Sequence, residues 1–162
     1  MEPIEHHKRF EYCTTRLQYR QGREVKAVKV YTAASESRHM LIFGVPKINL
    51  HTNIKNKLQS FGKLLSCTCV TSEFAKSMEL EAFTDVFAVH FERLEQARRA
   101  KRQLDAKQFY GGILHISYAP ERETLQELRE KFVQRRKEIV HRIQRNLAEQ
   151  PPPKQARQEK DV

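Results

Sequence analysis

The side chains able to do chemistry in this chain are its histidines, its cysteines and a dense set of cations. The seven histidines show no ligand spacing: His6 and His7 are adjacent near one end, and the others are scattered singly. Cys67 and Cys69 are two apart and share one face of a strand, an arrangement that a metal pair or ordinary core packing would both satisfy. The spacing favours core, so no metal or cofactor is expected. There is no Gly-rich phosphate loop, no HExxH and no nucleophile elbow. The chain is therefore expected to be non-catalytic.

The cations carry more information. Lys and Arg number 30 against 20 Asp and Glu, a formal charge of +10 with an isoelectric point near 9.7, which points to a polyanionic partner. Arg98, Arg99, Lys101 and Arg102 form the densest group, with no acidic residue between them. Arg135, Arg136, Lys137, Arg142 and Arg145 form a second, interleaved with glutamates. Each group could face water or contact phosphate or a partner protein.

The elements that position these groups follow from periodicity. "HMLIFGVP" is a short apolar strand closed by Gly44 and Pro46, and Leu50, Ile54, Leu58 and Phe61 then repeat at helical spacing up to Gly62. "LLSCTCV" is a second strand, followed by a loop from Thr71 to about Ala82. "TDVFAVHF" is a third, "LEQARRAKRQLD" returns to helix, and "ILHISYA" is the fourth strand after the Gly111-Gly112 turn. The order βαββαβ predicts an α+β domain, a ferredoxin-like sandwich with both helices on one sheet face, over residues 38–120.

Flanking it, residues 1–37 read as an N-terminal arm. It holds a short amphipathic helix, with Phe10, Cys13 and Leu17 on one side, and then the alternating stretch "KAVKVYT". Thr124 and Glu127 form a capping box, and Leu125, Leu128, Phe132, Ile139, Ile143 and Leu147 keep to a helical stripe, predicting a long C-terminal helix over 121–148. The run 149–162, with three consecutive prolines and polar residues, is expected to be disordered. Without an apolar leader or membrane-length stretch, an intracellular, soluble protein is expected.

These residues resemble an RNA recognition motif. "LIFGVP" stands in the place of that family's first-strand motif, "TDVFAVHF" in the place of its third, and "GGILHISYA" in that of its last strand. The resemblance puts the family's base-stacking positions at Ile42, Val86 and Ala88, none of them aromatic. Phe43, Phe87 and Phe91 fall on the other parity and read as core. RNA contacts are then expected from Thr84, His90, His115 and Ser117 on the open face, from Tyr118 at the sheet's exit, and from Lys29, Tyr31 and Arg38 on the arm.

Longer blocks, "GREVKAVKVYT", "FTDVF", "ARRAKRQLD" and "QFYGGILHISYAPERET", are similar to a nuclear RNA-binding subunit of the minor spliceosome. That resemblance implies splicing of U12-type introns, a small nuclear RNA as ligand, and a helical-repeat partner, armadillo repeat-containing protein 7. A second resemblance concerns "KQFYGG", which is similar to the Arg-X-Phe turn of the U2AF homology motif, with Lys107 in the Arg place and Phe109 in the Phe place. It implies binding of a linear peptide instead of RNA. The arginine of that turn is absent, and the first helix is basic where that family's is acidic. Phe109, Phe132 and the two basic groups are thus the candidate partner contacts.

Overall fold

A computed structural model describes residues 5–9, 31–76 and 79–149. Lys29, the amphipathic helix expected from Phe10, most of the "KAVKVYT" stretch and the expected disordered tail lie outside those residues. The chain divides after Glu123 into two compact units.

The first unit is a four-stranded antiparallel sheet whose strands lie side by side in the order Leu64–Cys69, Thr84–Phe91, His39–Pro46, His115–Tyr118, with the helices His51–Gln59 and Leu94–Leu104 on one face. Its elements are β1 (His39–Pro46), α1 (His51–Gln59), β2 (Leu64–Cys69), the single turn α2 (Thr71–Phe74), β3 (Thr84–Phe91) and α3 (Leu94–Leu104). A two-residue hairpin, β4 (Gln108–Phe109) with β5 (Gly112–Ile113), then leads into β6 (His115–Tyr118). Short 3-10 turns lie at Glu5–His7 and Pro120–Arg122. This is the RNA recognition motif fold, as the order of elements predicted.

Alternation sorts the strand residues into two cores. Met40, Ile42 and Val45 of β1, with Phe87, Val89 and Phe91 of β3, meet Ile54 and Leu58 of α1 and Ala97, Ala100 and Leu104 of α3. Leu41, Phe43, Val86 and Ala88 form a second cluster on the opposite face with Val70 and Ala119, joined by Phe74 and Leu80. A bulge between Ile42 and Val45 shifts the facing of the strand's last residues and returns Val45 to the helix side. At its centre Gly44 has φ +80°, and a Cβ there would come within 2.3 Å of the Ile113 carbonyl oxygen. Only glycine fits that backbone conformation and that close approach.

Two placements differ from expectation. Ile42 pairs with Phe87 and with Ile116 and lies fully buried in the helix-side core, so it is not a stacking position. Directly paired residues share a face, and the residue across from Ala88 is Leu41. Phe43, expected in the helix-side core, is on the other face for the same reason.

The second unit holds α4 (Leu125–Glu149). Its start is the expected capping box: Thr124 N–H donates to Glu127 Oε2 (2.8 Å) and Glu127 N–H to Thr124 Oγ1 (3.2 Å). The helix begins four residues later than predicted, because Pro120–Arg122 forms its own 3-10 turn. No residue of α4 is buried, and Leu125, Phe132, Val133, Ile139, Val140, Ile143 and Leu147 are all exposed.

Candidate nucleic-acid interface

The sheet face opposite the helices is the surface that could take bases. Its central row runs Thr68, Ala88, Leu41, Ser117 across β2, β3, β1 and β6. No ring stands in that row. Val86 and Ala88 occupy the face as the sequence implied, yet Val86 is fully buried and Ala88 nearly so. A base stacked on an aromatic side chain contributes about 1–3 kcal/mol, and this row supplies no such platform.

Rings flank the row at both ends. At one end His39 and His90 lie parallel, 3.8 Å apart at 20°. At the other, Phe43 pairs across the strands with His115, their ring centroids 5.7 Å apart. That second end is covered from within the chain. Phe74 meets Phe43 edge-on at 5.8 Å, and the His7 ring lies 6.2 Å from Phe43.

Polar contacts hold the covering turn. His7 Nδ1 is 2.7 Å from Ser117 Oγ, and His7 Nε2 is 2.6 Å from Glu121 Oε1. His115 Nε2–H donates to the His7 carbonyl at 3.0 Å. Burial lowers the His115 pKa, Lys101 and Arg9 add to that, and Asp105 and the bond to His7 only partly offset it. Burial would raise the Glu121 pKa, but the His7 hydrogen bond, a backbone hydrogen bond and the nearby imidazoles together hold it below the ordinary carboxylate value. Nothing in the sequence announced this cluster, since residues 7, 115, 117 and 121 meet only through the fold.

A small cleft borders the covered end, lined by His7, Arg9, Phe43, Thr84, Val86 and His115 among others. Glu79 and Glu81 also line it, so its charge is mixed rather than suited to a lone phosphate.

Several expected contacts are elsewhere. Tyr118 belongs to the helix-side core and meets Tyr31 edge-on at 5.1 Å, so neither ring lies on the base-facing side. Parity decides this too, because Tyr118 pairs with Met40. Arg38 donates to the Glu92 carbonyl at 3.2 Å, beside the His90 end. His115 is on the expected face but buried, and His90 is half-buried there.

The basic group on α3 separates residue by residue. Lys101 is buried at 3% exposure: its Nζ pairs with Asp105 at 2.8 Å, bonds the Ile116 carbonyl, and lies over the Tyr31 and Tyr118 rings. It is a core cation and cannot contact phosphate. Arg98 pairs with Glu36 through Nη2 at 2.5 Å and Nε at 3.1 Å. Arg99 and Arg102 are exposed and remain placed for a polyanion.

Phe109 packs in the helix-side core at 9% exposure, with Tyr110 edge-on at 4.9 Å. That placement removes it as a partner-capturing ring, because its contacts are already made inside the fold. Tyr110 is the exposed aromatic of that hairpin, at 59%, and its hydroxyl accepts from Asn53 Nδ2 at 2.8 Å. On α4, Phe132 is exposed and Arg136 faces water, while Arg135 pairs with Glu138 at 3.2 Å.

Comparison with known proteins gives the relationship. No protein-family model matches the chain. RNA-binding protein 48 of Homo sapiens is 38% identical over 137 residues, covering 85% of this chain and 36% of the relative. The protein of the same name in Danio rerio is 40% identical over 136 residues, 83% of this chain and 35% of its own length. The chain thus spans about a third of the curated relatives it matches. Among solved structures, the third RNA recognition motif of Pes4 aligns with TM-score 0.44 and 16% identity, over 54% of this chain and 96% of that one. The motif of Rna15 with bound RNA (GU) aligns with TM-score 0.43 and 15% identity, over 55% and 89%. Over its matched residues, the chain is a homologue of RNA-binding protein 48, built on the RNA recognition motif fold.

Proposed function

We propose that this chain binds RNA as a non-catalytic nuclear subunit of the minor spliceosome, joining a small nuclear RNA to an armadillo-repeat partner such as armadillo repeat-containing protein 7. The observation that carries RNA binding is homology to proteins named RNA-binding protein 48. The spliceosomal assignment rests on the resemblance of the same sequence blocks to a minor-spliceosome subunit.

The mechanism follows from what the sheet face lacks. With Ala88 and Leu41 where rings would stack, affinity has to come from phosphate contacts, from shape, and from the His39 and His90 pair at the edge. Exposed Arg99 and Arg102 supply charge on the helix side. The partner supplies the remaining surface, and the apolar stripe of α4 supports that reading. Seven large apolar side chains on α4 are between 46% and 63% exposed, as a helix seated in a hydrophobic groove would require. The concave face of a helical-repeat protein offers such a groove.

The test is the affinity of the purified chain for fluorescently labelled small nuclear RNA ends at physiological salt, with and without the armadillo-repeat protein. Weak, salt-sensitive binding by the chain alone that tightens with the partner is expected. RNA affinity that the partner leaves unchanged would overturn the joint site, and no RNA binding in either condition would overturn the function.

A further inference from the structure

Two consecutive imidazoles and one carboxylate converge where the Glu5–His7 turn meets the Pro120–Arg122 turn. Each oxygen of Glu121 faces a different ring: His7 Nε2 is 2.6 Å from Oε1, and His6 Nε2 is 3.2 Å from Oε2. One ligand atom from each of the three residues falls within 4.8 Å of the others. The two rings are 4.0 Å apart, centroid to centroid.

The surroundings match what a metal site needs. Ligating imidazoles are held in orientation by a hydrogen bond from the second ring nitrogen, and His7 Nδ1 has such a partner in Ser117 Oγ at 2.7 Å. His7 is 1% exposed, so its Nε2 is fixed before any ion arrives, whereas His6 and Glu121 keep 36% and 31% exposure and leave a way in from solvent. Two turns of fixed backbone hold the set, one of them starting with Pro120.

We propose that His6, His7 and Glu121 bind one divalent ion of the zinc class, with water at the fourth position. Two nitrogens and one carboxylate oxygen suit Zn²⁺ and its late first-row neighbours, whereas Mg²⁺ and Ca²⁺ require more oxygen ligands. The hydroxyl of Ser117 serves either state. It donates to His7 Nδ1 when Nε2–H bonds Glu121, and accepts from Nδ1–H when Nε2 binds the ion. The ion's role is that of a clasp: it ties residues 5–9 to the chain leaving β6, over the end of the sheet face where Phe43 and His115 lie.

The experiment uses the full chain, stripped with EDTA and titrated with ZnCl₂ by calorimetry near neutral pH. One Zn²⁺ per chain and a rise in melting temperature are expected, with no response to MgCl₂. His6→Ala and Glu121→Gln each remove a direct ligand and are expected to weaken Zn²⁺ binding by more than the roughly 10–100-fold that loss of an outer-shell partner costs. Because His6 is partly exposed, His6→Ala should leave the metal-free melting temperature close to that of the parent, so a folding defect in Glu121→Gln does not prevent the test. Loading with Co²⁺ should give tetrahedral visible bands without a thiolate-to-cobalt charge-transfer band. Absence of saturable 1:1 binding, unchanged affinity in His6→Ala, or a thiolate band assigning the ion to cysteine would each overturn the proposal.

Discussion

Replacing Lys101 with alanine separates a core cation from an RNA contact. Its ammonium and the Asp105 carboxylate are 3% and 5% exposed and 2.8 Å apart, and Asp105 also accepts the Ile116 N–H at 2.9 Å. Removing one partner of such a buried pair leaves the other charge uncompensated, which costs about 3–5 kcal/mol. Loss of packing against Tyr31 and Tyr118 acts in the same direction. Against a domain stability of about 5–15 kcal/mol, this is a large fraction. Urea denaturation followed by circular dichroism should show a much lower midpoint at unchanged slope, while Arg102→Ala, exposed on the same helix, should move stability by no more than about 0.5 kcal/mol. The double variant Lys101→Ala with Asp105→Ala should lose less than the sum of the two single losses. A Lys101→Ala protein as stable as the parent but weaker for RNA would refute the assignment, because it would put the ammonium at the surface.

Three further outcomes are expected. Gly44→Ala should destabilise by at least about 1–3 kcal/mol, since its Cβ meets the Ile113 carbonyl oxygen at 2.3 Å in a left-handed backbone; a melting curve unchanged from the parent would contradict this. In EDTA, stability should fall with acid in two windows. The depressed pKa of buried His115 means that the unfolded chain takes up more protons as pH drops through the ordinary imidazole value, about 6.5, and the native state loses ground there. Glu121, whose pKa is lowered, contributes stability above the ordinary carboxylate value that disappears as pH falls through its folded value; melting temperatures flat from neutral to acid pH would count against both. Arg99→Gln combined with Arg102→Gln should flatten the dependence of log affinity for single-stranded RNA on log salt by about 1.4, at roughly 0.7 per phosphate contact, and an unchanged slope would exclude those contacts.

The order of elements was legible because each carries its own period. Leu50, Ile54 and Leu58 repeat as a helix and the strands alternate, so the βαββαβ succession follows without knowing any contact. The capping box at Thr124 and Glu127 is likewise local, and it formed as written. Register is not local in that sense. The bulge at Gly44 changes the facing only of the residues after it, and the identity of the stacking positions turned on the pairing before it, where Leu41 lies across from Ala88. A motif placed on a single strand cannot report its neighbour, so Ile42 was assigned to the wrong face and Phe43 with it.

Burial of charge was equally hidden. In "ARRAKRQLD" the four cations look alike, and only the packing of α3 on β6 sends Lys101 inward to Asp105 and leaves Arg99 and Arg102 in water. The same holds for the histidines. His6 and His7 have no ligand partner at any recognisable spacing, because Glu121 is more than a hundred residues away and reaches them only when β6 pairs with β1. Composition and periodicity thus determined the class, the basic character and the succession of helices and strands, all of which depend on neighbours in sequence. Which side chains share a face, which cations are buried and which polar groups meet depend on strand pairing and packing across the chain, and those were decided by the tertiary structure.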